Sequence, residues 1–228
     1  MNKKAKIATF FNKYKHGWVF LYALIYMPWF IWLEKTVTGD YYVIHSPIDD
    51  MIPFVEYFIV PYLLWFAFIA VWGLYFFFTN VEDFYKLAKL TIIGMTLFLI
   101  LSTLVPNGLN LRPEVFEKDN IFVDMVRFVY RVDTPTNVFP SLHVFNSLGI
   151  CIAIYESDEL KKHKVISYAS YILAGLIVLA TVFLKQHSVY DVVMAFVMAQ
   201  ALYQIVYVPV EERAFKPAKN RKLLWSSK

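Results

Sequence analysis

The sequence predicts an all-α fold, a polytopic membrane bundle of six transmembrane helices with both termini cytoplasmic. Hydrophobic residues make up 59% of the chain and charged residues only 18%, where a soluble domain carries about 25% charged. The apolar residues gather into runs close to the ~20 residues that cross a bilayer. Lys and Arg cluster on alternate connections between those runs, as the positive-inside bias requires.

The runs place spans at 17–33, 58–79, 88–105, 139–155, 165–184 and 188–209. The first lacks a small-residue cleavage site after its apolar stretch and is rich in Trp and Tyr, so it reads as a retained anchor and not a signal peptide. The fourth is short for a membrane, so its ends must lie close to the interfaces or its flanks must extend the helix. Basic residues mark the arm 1–16 (Lys3, Lys4, Lys6, Lys13, Lys15), the connection 156–164 (Lys161, Lys162, Lys164) and the tail 210–228 (Arg213, Lys216, Lys219, Arg221, Lys222, Lys228), all expected to be cytoplasmic. The 34–50 connection holds Glu34, Asp40, Asp49 and Asp50 against Lys35 alone, as expected for the opposite side. The 106–138 connection then becomes an extracytoplasmic loop region, and residues 1–228 form a single membrane domain. The chain has no fixed-period repeat that would argue for a second domain. A net charge of +4, concentrated in the tails, suits an anionic leaflet, and no basic motif points to nucleic acid. Cys151 is the only cysteine, which excludes an intrachain disulfide or a cysteine-based metal site.

In this topology three polar clusters reach one membrane face. Arg112 follows the third span, Pro140 to His143 opens the fourth, and His187 to Asp191 joins the fifth to the sixth. An Asp in an otherwise apolar helix is costly at membrane depth and needs a partner. His187, four residues earlier, is the evident one, at ~5–6 Å between Cβ atoms if both lie on the helix. Such a His is a capable nucleophile towards phosphorus, giving a phosphohistidine. His143 would then protonate the departing alkoxide and later activate water. Pro140 suits the first helical turn, so the backbone N–H groups of Ser141, Leu142 and His143 form an anion site, with the Ser141 hydroxyl as a further donor. Arg112 offers a fork that matches phosphate, and Lys185 is a second candidate cation. Asn107 and Asn110 are candidate neutral donors. Arg127 and Arg131 sit on an amphipathic segment and read as partners of Asp124 or of lipid headgroups.

Arg112-Pro113, Pro140-Ser141-Leu142-His143 and His187-x3-Asp191 resemble the three signatures of the type 2 phosphatidic acid phosphatase superfamily of membrane lipid phosphatases. The resemblance runs from about Thr103 to the sixth span. It implies His187 as nucleophile, His143 as acid, Asp191 as the group that orients the nucleophile, and phosphate binding at Arg112. It also implies an amphiphilic lipid phosphate as substrate, with no cofactor. Departures are informative: Val105 stands where the family pattern has Lys, Ala180-Thr181 where it has Ser-Arg, and Leu142 where it has Gly. This reduced set is similar to the inositol-phosphoceramide synthase-like branch, which leaves the acceptor open between water and an alcohol such as inositol. Two other classes stay open from the residues themselves. Two His and one Asp also suit a metal, and a polar relay suits a transporter with discontinuous helices.

Overall fold

The computed structural model describes residues 12–208; most of the basic arm 1–16 and all of the basic tail 210–228, both expected to be cytoplasmic, lie outside them. Among the described residues, eight α-helices carry the architecture. They are α1 (Ala23–Thr36), α2 (Pro47–Met51), α3 (Ile59–Thr79), α4 (Val81–Leu104), α5 (Ile121–Val132), α6 (Leu142–Glu156), α7 (Lys164–Phe183) and α8 (Val189–Val206). A 3₁₀ segment, Lys15–Tyr22, leads into α1, and another, Glu56–Phe58, leads into α3. Two-residue strands, β1 (Tyr42–Val43) and β2 (Asn107–Gly108), pair in parallel with Tyr42 opposite Asn107.

Among the described residues, five segments are long and apolar enough to cross a membrane: Lys15–Thr36, Glu56–Thr79, Val81–Leu104, Lys164–Phe183 and Val189–Val206. They coincide with five of the six expected spans. The remaining one, α6, has 15 residues, a rise of about 22 Å against a ~30 Å hydrocarbon core. α6 packs against α3, α4, α7 and α8 and buries Val144, Phe145, Ile150, Ala153 and Ile154. Close approach to α4 depends on Gly94, where a Cβ would stand 2.1 Å from the Phe145 ring. Small residues serve helix contacts in bilayers in this way.

Two helix starts differ from the apolar pattern for local reasons. α4 begins at Val81, seven residues before the expected span, because Asn80 caps it by accepting from Glu82 and Asp83 N–H, and its polar first turns stay helical through a Glu82–Lys86 pair. α6 begins at Leu142 with Ser141 as N-cap, so Pro140, reached through a cis peptide, lies ahead of the helix and not in its first turn.

The 106–138 connection folds over one end of the bundle. Within it α5 turns Val123, Val126 and Val129 inward. Asn120 caps it and also donates to Glu56, which Lys118 pairs at 3.0 Å. Asn107, expected as a donor to substrate, is instead an internal clamp. Its Oδ1 accepts from Val138 and Phe139 N–H, and its Nδ2 donates to the Val105 carbonyl.

Candidate functional site

The start of α8 sets the chemistry. Ser188 is the N-cap and Asp191 the third residue of a capping box, so Asp191 Oδ2 accepts the Ser188 N–H at 2.8 Å. The same oxygen lies 3.3 Å from His187 Nδ1. His187 therefore stands just before the helix, not on it as the spacing suggested. The carboxylate reaches it because a capping-box side chain folds back over the preceding turn. His187 is 8% exposed, and Asp191 is fully buried with Oδ1 unbonded. A carboxylate at Nδ1 holds the proton there and leaves the Nε2 lone pair outward.

Asp49 anchors this turn from the first connection. Its carboxylate accepts from Ser188 Oγ (2.6 Å), Val189 N–H (2.8 Å) and Ser46 N–H (2.7 Å). Asp49 lies in α2, itself begun by a Ser46 capping box with Pro47 at its first position. Sequence reading counted Asp49 only as charge. The available signal was the Ser-Pro-x-Asp helix start.

His143, in the first turn of α6, faces the His187 ring with centroids 5.8 Å apart. Tyr62 stacks on it at 4.6 Å and Trp65 tilts against it at 4.3 Å. Both imidazoles line a cavity of about 520 Å³ that runs from this end of the bundle between α1, α3, α4 and α5. Met27, Phe66 and Phe128 also line it and are exposed on the bundle's flank. The cavity thus joins a polar head to an apolar side that faces outward.

The expected phosphate-binding residues are placed less uniformly. Leu142 lines the cavity beside His143, where the first N–H groups of a helix lack intrahelical acceptors. Ser141 does not line it. It is fully buried, its Oγ accepting from Val144 N–H and its own N–H donating to the Asp191 carbonyl, which ties α6 to α8. Lys185 is a clear correction. Its backbone has φ 54°, its ammonium donates to the Asp49 and Ile52 carbonyls at 2.6 and 2.5 Å, and it does not line the cavity that holds the imidazoles. Burial lowers its pKa from the ordinary lysine value. Arg112 stands behind the cavity wall. Its fork donates to the Tyr130 and Asp133 carbonyls and to Gln186 Oε1 (3.2, 2.8 and 2.5 Å), and its plane lies over the Tyr130 ring. Its Nε–H is buried without a partner. Neither Glu114 nor Glu117 pairs with it. Burial lowers the guanidinium pKa, with Asp133 the chief opposing charge, yet an arginine stays charged. Arg127 pairs with Asp124 as expected, and with Asp119.

Two carboxylates on the cavity were not singled out as site residues. Asp133 accepts from Tyr62 Oη at 3.2 Å, and burial raises its pKa while Arg112 and His187 oppose the rise. Glu34, at the end of α1, accepts from Asn137 Nδ2 (2.9 Å) and from the Thr134 hydroxyl. Both look like ordinary loop acids until the 133–138 segment folds back beside the histidines. No family model, no curated protein and no solved structure matches the chain.

Proposed function

We propose that the protein is a membrane lipid-phosphate phosphatase, working by metal-independent phosphoryl transfer through a phosphohistidine at the extracytoplasmic interface. One observation carries the reading: His143 and His187 face each other at 5.8 Å on one cavity, with Asp191 behind the second ring. Reacting atoms approach to about 3–3.5 Å before bond making, so two nitrogens roughly 6–7 Å apart can flank a single phosphoryl group. The resemblance of these positions to the type 2 phosphatidic acid phosphatase signatures supports the same assignment. In this reading α6 is a sixth span, the basic tails are cytoplasmic, and lipid tails enter along the apolar flank of the cavity.

His187 Nε2 attacks phosphorus and the bond to the lipid oxygen breaks, with protonated His143 delivering its proton to the leaving alkoxide. Asp191 stabilises the charge that His187 develops. Water then attacks the phosphohistidine, His143 takes its proton, and phosphate leaves as the P–N bond breaks. Arg112 joins by exchanging the Gln186 oxygen for a phosphoryl oxygen, which adds a charge-assisted bond as negative charge builds.

A second reading, transfer to an alcohol acceptor such as inositol, is favoured by Glu34 and Asp133 on the cavity wall. Carboxylates accept from hydroxyls and repel a free phosphate dianion. Purified protein incubated with phosphatidic acid, lysophosphatidic acid, polyprenyl diphosphate and phosphoinositides, with and without inositol, tests both. Phosphate release that vanadate inhibits and EDTA does not, and that His187→Ala reduces to background, is the expected result. A new phosphodiester appearing only with inositol selects the transferase. Absence of phosphate or new lipid from the whole panel overturns both.

A further inference from the structure

Asn146 lies one turn after His143 on α6, about 4.5 Å further along the helix from the site end. It is 8% exposed, and its amide bonds to no described residue, with Oδ1 fully buried and unpaired. Trp65, which packs on His143, likewise has its indole Nε1–H buried without an acceptor. Both residues line the same cavity. An unpaired amide oxygen and an unpaired indole N–H among apolar helices are each costly to bury, and polar groups at membrane depth mark binding sites. One orphan is an acceptor and the other a donor.

We propose that Asn146 and Trp65 form a subsite for a hydroxyl on the substrate's lipid backbone, adjacent to the carbon that bears the phosphate. This rests on the phosphoryl-transfer reading and names the class of lipid within it. A hydroxyl is both donor and acceptor, so one such group gives its proton to Asn146 Oδ1 and accepts from Trp65 Nε1. An ester carbonyl satisfies only Trp65, and a prenyl chain satisfies neither. Its depth, one turn beyond His143, suits a group one carbon removed from the phosphate ester. The preferred substrate is therefore a hydroxyl-bearing phospholipid, of the monoacyl type, over a fully acylated or prenyl phosphate.

The test compares lysophosphatidic acid with its sn-2 O-methyl ether. Wild-type protein is expected to favour the free hydroxyl by about tenfold or more in kcat/KM, since leaving buried polar groups unpaired costs at least that much. Asn146→Leu and, separately, Trp65→Phe should bring the ratio to about one. A readout independent of turnover uses the His187→Ala protein in detergent with two phosphate-free lipids, 1-oleoylglycerol and its sn-2 methyl ether. Only the free hydroxyl should raise the melting temperature, and adding Asn146→Leu should erase the difference. Equal shifts from both lipids, or discrimination that survives both substitutions, overturn the subsite. Discrimination in melting without phosphate release by wild-type protein supports the subsite and removes the phosphatase reading instead.

Discussion

Asp191 Oδ2 accepts the Ser188 N–H and faces His187 Nδ1, so one atom both starts a helix and orients a ring. Asp191→Asn can keep both contacts through its amide oxygen but removes the negative charge that faces His187 Nδ1. In the proposed mechanism the substitution lowers kcat for lipid phosphate by about 10²-fold or more, with a smaller change in KM, checked by phosphate release at saturating lipid. Lys185 gives the opposite expectation. Its ammonium is held by two carbonyls of the first connection, so Lys185→Ala should lower the melting temperature while leaving KM within about twofold. The lost charged hydrogen bonds correspond to about 1.5–3 kcal/mol, and a large rise in KM without loss of stability would contradict this placement. His143, His187 and Asp191 were legible because polar residues stand out against apolar runs. Lys185 was misread because only its distance along the chain from His187 was visible, whereas its positive φ decides where it points. Glu34 and Asp133 were missed because acids in connections are ordinary, and only the folded loop brings them to the histidines.

At the scale of elements, the site depends on a helix of five residues. α2 presents Asp49 to the first turn of α8, where it takes two donors from that turn and a third from its own cap. Asp49→Ala leaves the Ser188 hydroxyl and the Val189 and Ser46 N–H groups without this acceptor, a loss of about 2–4 kcal/mol. The expected outcome is a lower melting temperature in detergent together with loss of phosphate release, because the turn that carries His187 loses its anchor. Asp49→Asn should be milder on both counts, and a wild-type profile for Asp49→Ala would show that the clamp does not hold the site. The long helices were readable from apolar length alone. Their polar starts, such as Glu82 to Lys89 in α4, were not, since a capped helix continues past its apolar stretch. α2 has no apolar run to reveal it, and its Ser46-Pro47 cap is a signal only when helix starts are sought inside connections.

For the whole molecule, the site is assembled at one end of the bundle: from the end of α1, the first turns of α3, the connection after α4, the start of α6 and the turn into α8. The sequence foresaw this convergence because spans that alternate in direction place every second connection together. The membrane side is set by a separate argument, the distribution of Lys and Arg, which concerns how the chain inserts and not how it packs. Substituted-cysteine labelling tests it directly, since Cys151→Ala removes the only native thiol. In that background Val115→Cys lies at the site end on a residue 81% exposed, and Lys161→Cys lies at the opposite end in the basic connection. A membrane-impermeant maleimide on intact cells should label position 115 and leave position 161 unlabelled until the membrane is opened. Labelling of 161 alone would turn the bundle over and place the histidines on the cytoplasmic face, where the substrate would have to be drawn from the inner leaflet.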